Sequence, residues 1–177
     1  MNIRPLLIAF LELLGSPIYS QLHDVEEIAI EFMQRQLPTE GFKPTDFKDF
    51  EVISSYLSKN NGVTHVHIIQ KYQGVEIENA IFNVNILPDG EVFHHGNSGV
   101  KDFENKVVSD EEITSCHEAL EKCFRDLKLP EVGQMKSIYQ TANETLFKKT
   151  KHTFDDILAR QLYVPQSDGK YRKVWSV

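Results

Sequence analysis

The clearest pattern in the sequence is an alternation of apolar and polar residues between Val52 and Val100. Alternating residues of a strand point to opposite faces of a sheet, so this pattern predicts strands with one packed face and one polar face. Three turn sequences divide the stretch, which indicates an antiparallel meander: Asn60-Asn61-Gly62, Gln73-Gly74 and Pro88-Asp89-Gly90. The alternation is most regular in one segment, with Ala80, Phe82, Val84 and Ile86 on the apolar side and Asn79, Ile81, Asn83 and Asn85 on the other.

A helix before the meander is predicted to cover its apolar face. Asp24 can accept a backbone N–H as a cap, and Glu27 three residues later can bond back to it. Apolar residues then recur at helical spacing until Pro38, which ends the pattern: Val25, Ile28, Ala29, Phe32 and Leu37. We expect Phe42, Phe47 and Phe50, in the turn-rich segment that follows, to close the edge of the core.

The same order of elements recurs in the second half of the chain. After a polar connector over residues 100–109, Ser109 or Asp110 is predicted to cap a helix whose apolar face contains Ile113, Cys116, Leu120, Cys123, Phe124 and Leu127. Short strands are predicted at Ser137–Gln140, around Phe147, at Ile157–Val164 and at Tyr171–Val177. Helix followed by strands, twice, predicts an α+β protein with related halves at 21–99 and 110–177.

Composition and the N-terminus narrow the partners and the compartment. The 177 residues contain 26 Asp and Glu against 19 Lys and Arg, which argues against nucleic acid or an anionic membrane as partner. Residues 1–20 combine Arg4, an apolar run and small residues before Ser20, which is the pattern of a signal peptide of a secreted, extracellular protein. The alternative is an amphipathic first helix of a cytosolic protein. The apolar run is too short to span a membrane.

The two cysteines and the histidines offer no catalytic or metal site. Cys116 and Cys123 are seven residues apart, or about 10 Å along a helix, beyond the reach of a disulfide, so buried thiols are expected. His117-Glu118 does not continue into a zinc-protease H-E-x-x-H motif, because position 121 is Glu121. The remaining candidates for a zinc site lack the spacing of a ligand set and are expected to be polar sheet residues: His65, His67, His94 and His95.

One modification site is predicted. Asn143-Glu144-Thr145 is an acceptor sequence for N-glycosylation in a polar segment between strands. Such triplets are common by chance, so Asn143 supports secretion only modestly.

Blocks of the meander resemble the fungalysin/thermolysin propeptide motif of the fungalysins, which are secreted fungal zinc metalloendopeptidases. The blocks are Ser54-Ser55-Tyr56, Asn61–Val66, Gln70–Ile77, Asn79-Ala80, Phe82–Asn85, Asp89-Gly90 and Gly96-Asn97-Ser98. Later blocks are similar to strands of the second propeptide subdomain of that family: Ala159–Pro165, Asp168-Gly169 and Val174–Val177.

This resemblance implies a fold and a role. The fold would be two cystatin-like halves, each a helix packed on a curled antiparallel sheet. The second half would be incomplete, because the family continues past the tryptophan strand into a further hairpin. The role would be to keep a metallopeptidase latent and to assist its folding. Zinc and the catalytic residues belong to the family's catalytic domain, so neither a catalytic residue nor a cofactor is expected in this chain.

Three hypotheses follow. The first is the propeptide region of a secreted zinc metalloendopeptidase precursor, whose partner is the cognate catalytic domain. The second is a stand-alone secreted cystatin-like module that inhibits proteases in trans, and the third is a secreted protein without a protease partner. For the first two, the predicted contact residues lie on the polar strand face: His65, His67, Asn79, Asn83 and Asn85. The alternative for these residues is a solvated face without a partner.

Overall fold

The computed structural model describes residues 17–108, 115–130 and 135–177, which form two helices and an eight-stranded sheet. The α+β class is thereby confirmed. In chain order the elements are α1 (Pro17–Gln36), β1 (Phe50–Leu57), β2 (Thr64–Tyr72), β3 (Val75–Ile86), β4 (Val92–Asn97), α2 (Cys116–Asp126), β5 (Ser137–Gln140), β6 (Glu144–Phe147), β7 (Ile157–Pro165) and β8 (Tyr171–Ser176).

Helix α1 covers the apolar face of the strands β1 to β4, as the sequence predicted. Its buried residues Ala29 and Met33 pack with the buried residues of the meander, which are Val66, Ile68, Phe82, Val84 and Ile86. Phe42 is buried and Phe47 and Phe50 are partly buried against the same core. The alternation in β3 is therefore real, and its apolar side faces the helix.

The start of α1 differs from the prediction. The helix begins at Pro17, so Asp24 lies inside it and is not a cap. The predicted signal peptide falls mostly on residues 1–16, which lie outside the described residues, and its predicted end at Ser20 falls within α1.

Helix α2 covers the second half and is capped locally. The Ser115 N–H donates to Glu118 Oε2 at 2.8 Å, and the Glu118 N–H donates to Ser115 Oγ at 3.3 Å. This capping box replaces the predicted cap at Ser109 or Asp110, which lie outside the described residues and are separated from the helix by Ser115 in an extended conformation. The core formed by α2 and the strands beneath it contains Cys116, Leu120, Phe124, Phe147 and Ala159. Both cysteines are free thiols, as predicted, but both were expected to be buried, whereas Cys116 is buried and Cys123 is half-buried.

The strands of both halves belong to one mixed sheet, whereas the family resemblance implied a curled antiparallel sheet for each half. The order is β1-β2-β3-β7-β6-β5, with β4 also paired to β3 and β8 to β7. Strand β3 is twelve residues long, and β4 pairs only with its second part. Its first part is free to pair in parallel with β7, at Glu76 with Leu162 and Ile77 with Tyr163.

Residues 100–108, predicted as a polar connector, pack into the junction between the halves. Phe103 is 2% exposed and shares a core with Val75, Ile77, Ala80 and Tyr163. Val107 forms a parallel bridge with Tyr171 of β8. The sequence could not show this, because the apolar surface that buries Phe103 exists only once β3 and β7 are paired.

Candidate functional site

The solvent face of the meander carries two rows of polar side chains that cross four strands. Residues that pair in antiparallel strands lie side by side on one face. One row consists of Ser54, His67, Asn83 and Gly96, and the other of Tyr56, His65, Asn85 and His94. We call these eight residues the neutral face, because none of them is Asp, Glu, Lys or Arg in a chain with 25% charged residues.

Hydrogen bonds and ring stacking fix the side chains of the neutral face. His65 Nδ1 lies 2.7 Å from Asn85 Oδ1, and His67 Nδ1 lies 2.9 Å from Ser54 Oγ. The Tyr56 ring stacks on both imidazoles, with centroid distances of 5.0 Å to His65 and 6.0 Å to His67. Each of the two imidazoles is half-buried, while Tyr56 is 51% exposed.

A glycine at one position of this face leaves space for a neighbouring side chain. A Cβ on Gly96 would lie 2.7 Å from Asn83 Oδ1, closer than real contacts allow. The absence of a side chain at Gly96 therefore leaves room for the Asn83 carboxamide. The result is a surface of amides, imidazoles, a hydroxyl group and a phenol. Tyrosine, serine and asparagine are side chains that antibody combining sites use.

Four of the five predicted contact residues are brought together here. His65, His67, Asn83 and Asn85 are neighbours in the two rows. Asn79 is separate, because it lies at a left-handed backbone position with φ 59° in the first part of β3, where the Ser98 hydroxyl donates to its carbonyl oxygen.

The sequence prediction missed Ser54, Tyr56 and His94. The pairing of β1 with β2 shifts between Val52 and Ser54, and that of β3 with β4 shifts between Asn85 and Ile86. An irregularity of this kind changes which residues share a face. The available signal was Tyr56 itself, an aromatic residue that follows Ser54 and Ser55 and lies six residues before the turn glycine Gly62.

The neighbouring histidine His95 belongs to the other side of the sheet. Its Nε2 donates to Glu40 Oε1 at 3.0 Å, its ring contacts Phe32, and Asn97 also donates to the Glu40 carboxylate. The hydrogen bond from His95 is the main reason why the pKa of the Glu40 carboxyl lies below its ordinary value; Gln36 and Asn97 lower it further, and partial burial opposes them. These hydrogen bonds hold the segment that follows α1 against β4.

A buried network of hydrogen bonds holds the connector, residues 100–108, against the meander. The Gln70 side chain is 1% exposed; its amide donates to the carbonyls of Asp46 and Val100 at 2.7 and 2.9 Å, and its oxygen accepts from the Val100 N–H at 2.7 Å. The buried Asp46 carboxylate accepts from the backbone N–H groups of Lys43 and Phe103. Buried polar groups whose hydrogen bonds are satisfied in this way favour one conformation of the chain over alternatives.

Asn143, the predicted glycosylation site, lies at the junction of the halves. Its Nδ2 donates to the Gly74 carbonyl at 3.3 Å, and its own carbonyl accepts from the Gln161 N–H at 2.8 Å. Thr145 of the same acceptor sequence is buried beside Cys116. A glycan would therefore have to be attached before this region folds.

Within the ranges 17–108, 115–130 and 135–177, no three His, Cys, Asp or Glu side chains come close enough together to hold a metal ion. These residues therefore do not fit the zinc site of a metallopeptidase. In the same ranges, neither helix is long and apolar enough to cross a bilayer.

Comparison with known proteins gives matches to a propeptide motif and to extracellular metalloproteinases. Residues 48–99, which contain the neutral face, match the family described as Fungalysin/Thermolysin Propeptide Motif. Extracellular metalloproteinase 2 of Trichophyton rubrum is 34% identical over 132 residues, which are 72% of this chain and 21% of that protein. Extracellular metalloproteinase 5 of Arthroderma gypseum is 28% identical over 155 residues, which are 85% of this chain and 23% of that protein. The chain thus spans between a fifth and a quarter of these relatives.

Proposed function

We propose that this chain, which carries the fungalysin/thermolysin propeptide motif and is related over most of its length to fungalysin-type extracellular metalloproteinases, is the propeptide region of a secreted zinc metalloendopeptidase precursor. The observation that carries the proposal is the match of the motif to the meander together with relatives that cover 72 to 85% of the chain. The printed names of those relatives also support an extracellular location and a leader over residues 1–20.

The role we propose is to keep the catalytic domain latent and to assist its folding. A surface that binds the native enzyme stabilises that state by mass action. A covalently attached propeptide acts at an effective concentration of about 1 mM, which for a Kd of about 1 μM corresponds to about 4 kcal/mol of stabilisation. Binding alone is sufficient for both tasks. The zinc ion would be held by the catalytic domain of the partner.

The finer architecture we propose is two cystatin-like halves joined edge to edge. Helix α1 packs on β1 to β4 and helix α2 packs on the sheet formed by β6 and β7. The parallel pairing of β3 with β7 then joins the two halves, so that they would bind a partner as one unit.

The neutral face is the contact surface that the geometry favours. It offers hydrogen-bonding groups and an exposed aromatic ring without a charge that would have to be desolvated. The residues that we assign to the contact are His65, His67, Asn83 and Asn85, together with Tyr56 at the edge. Asn79, next to the junction of the halves, is assigned to the margin of the contact.

The experiment is a titration in trans. The purified chain is added to the mature catalytic domain of a fungalysin-type metalloproteinase, and peptide hydrolysis is followed. We expect inhibition at micromolar concentrations, and recovery of activity from the denatured catalytic domain should rise when the chain is present. No slowing at tens of micromolar and no gain in refolding would reject the proposal.

A matched pair of variants tests the contact surface. Tyr56→Ala should weaken inhibition at least about tenfold, because tyrosine is enriched among interface hot spots and this ring stacks on both His65 and His67. Tyr139→Ala, which truncates another exposed tyrosine in β5 of the second half, is the control and should leave inhibition unchanged. Equal effects of the two variants would place the contact elsewhere. Whether the chain acts in cis or as a separate inhibitor is decided by the reading frame that follows Val177.

A further inference from the structure

Two imidazoles lie next to each other in the centre of the neutral face. His65 and His67 are two residues apart on β2, so their side chains point to the same side at a separation of about 7 Å. The Tyr56 ring stacks on both of them. Any partner that covers this face must cover both imidazoles together.

The hydrogen bond to Asn85 determines the tautomer of His65. Asn85 Oδ1 is an acceptor, so His65 Nδ1, at 2.7 Å, must carry the proton. In the neutral ring, Nε2 is then an acceptor. Protonation turns Nε2 into a donor, so a partner group that donates to the neutral ring would lose its hydrogen bond in acid.

Among the described residues, those paired with the two imidazoles carry no counter-charge. From β1 they face Ser54 and Tyr56, and from β3 they face Asn83 and Asn85. The third imidazole in these rows is that of His94 on β4, next to Asn85. In the next row toward the start of β1, the Glu51 carboxylate is bonded to Lys71 Nζ at 2.8 Å. Helix α1 packs on the opposite side of the sheet.

Two protonated rings on this surface would therefore be two unpaired cations that lose their water when a partner docks. Burying an unpaired charge is unfavourable, so the protonated face should bind a protein partner more weakly than the neutral face. Histidine is the side chain whose charge normally changes between pH 5 and pH 8.

We propose that His65 and His67 make the docking of the metallopeptidase catalytic domain on the neutral face dependent on pH, with tight binding near neutrality and release on acidification. This inference rests on the proposed function and adds a regulation of the same surface. Acidification would thus separate propeptide and enzyme without a change in either fold.

The test measures the affinity of the purified chain for the mature catalytic domain of extracellular metalloproteinase 2 of Trichophyton rubrum at pH 7.5 and pH 5. Histidine is the side chain whose charge normally changes within this range of pH. We expect the affinity of the unmodified chain to fall at least about tenfold on acidification, with an unchanged circular dichroism spectrum.

Variants show whether the pH dependence comes from the two imidazoles or from titrating groups of the enzyme. In the double variant His65→Gln/His67→Gln the ratio of the two affinities should fall below about threefold, and each single variant should give an intermediate ratio. His117→Gln, on α2, is the matched control and should keep the full ratio.

The outcomes are distinct. Equal affinity at both pH values, unfolding of the chain at pH 5, or an unchanged ratio in the single and double glutamine variants would each overturn the pH dependence and leave the proposed function intact. Failure of the unmodified chain to bind at pH 7.5 would reject the proposed function and this inference with it.

Discussion

The substitution Phe103→Ala tests whether the two halves unfold as one unit. Phe103 is 2% exposed, and its ring centroid lies 5.3 Å from that of Tyr72, 5.2 Å from Tyr163 and 5.1 Å from Tyr171. Tyr72 belongs to the meander, whereas Tyr163 and Tyr171 belong to the second half. Removing the ring leaves a cavity between the halves.

The size of the effect follows from the burial. Truncating a fully buried phenylalanine to alanine costs about 3 to 5 kcal/mol. The backbone N–H of residue 103 keeps its bond to the Asp46 carboxylate in the variant, so we expect about 4 kcal/mol, without an additional polar term. With a urea m-value of about 2 kcal/mol per M, the midpoint of unfolding should fall by about 2 M.

The assay follows urea unfolding with two probes. The fluorescence of Trp175, the single tryptophan, reports on the second half, and circular dichroism at 222 nm reports mainly on the twenty-residue helix α1 of the first half. Both midpoints should shift together, because Phe103 stabilises both halves. A shift in one probe alone, or a loss below about 1 kcal/mol, would refute the picture of a shared core.

Two further variants make the test robust. Phe154→Ala is the control, because Phe154 is 96% exposed and its truncation should change the free energy of unfolding by less than about 0.5 kcal/mol. If the alanine variant at position 103 does not fold, Phe103→Leu should still fold and lose about 1.5 kcal/mol, with both probes shifting together.

Three other predictions concern polar contacts and modification. Gln70→Leu should lower the free energy of unfolding by about 2 to 3 kcal/mol in urea denaturation, because the buried Val100 N–H loses its acceptor; a loss below about 0.5 kcal/mol would contradict this. Glu40→Gln should destabilise the chain by up to about 1 kcal/mol at pH 7. The folded-state pKa of Glu40 is lowered, mainly by the hydrogen bond from His95. Its contribution to stability is therefore present above the ordinary carboxyl pKa and is lost as the pH falls through the folded-state pKa. The free energies of unfolding of the unmodified chain and of Glu40→Gln should converge in acid, and a difference that stays constant with pH would contradict this. Asn143→Gln should abolish the mass loss that a glycan-releasing amidase causes in chain secreted from a eukaryotic host, and an unmodified chain that shows no such loss would exclude the site.

Local patterns explain why much of the meander was predictable. The alternation in β3 and the turns at Gly62, Gly74 and Gly90 depend on residues that are close in sequence, so strand faces and strand ends follow directly. The same alternation identified His65 and Asn85 as neighbours of one polar face.

The missed members of the neutral face show the limit of such patterns. Tyr56 and His94 reach the face because the pairing of their strands is shifted by one residue. A shift of this kind is set by contacts across strands, and no alternation within one strand reveals it. The capping box at Ser115 is a different case, since Ser115 and Glu118 have the required spacing in the sequence and the earlier Ser109 and Asp110 were preferred to them.

The sequence by itself determined the α+β class, the apolar and polar sides of the strands, the free thiols and the resemblance to a fungalysin propeptide. These properties depend on residue type and short-range spacing. The tertiary structure alone decided that both halves share one sheet and that Phe103 is buried in their junction. It also decided that one tyrosine ring stacks on both His65 and His67, and that the described residues paired with them are uncharged. The physical reason is that each of these depends on contacts between distant parts of the chain, whose free energy exists only when the whole sheet has formed.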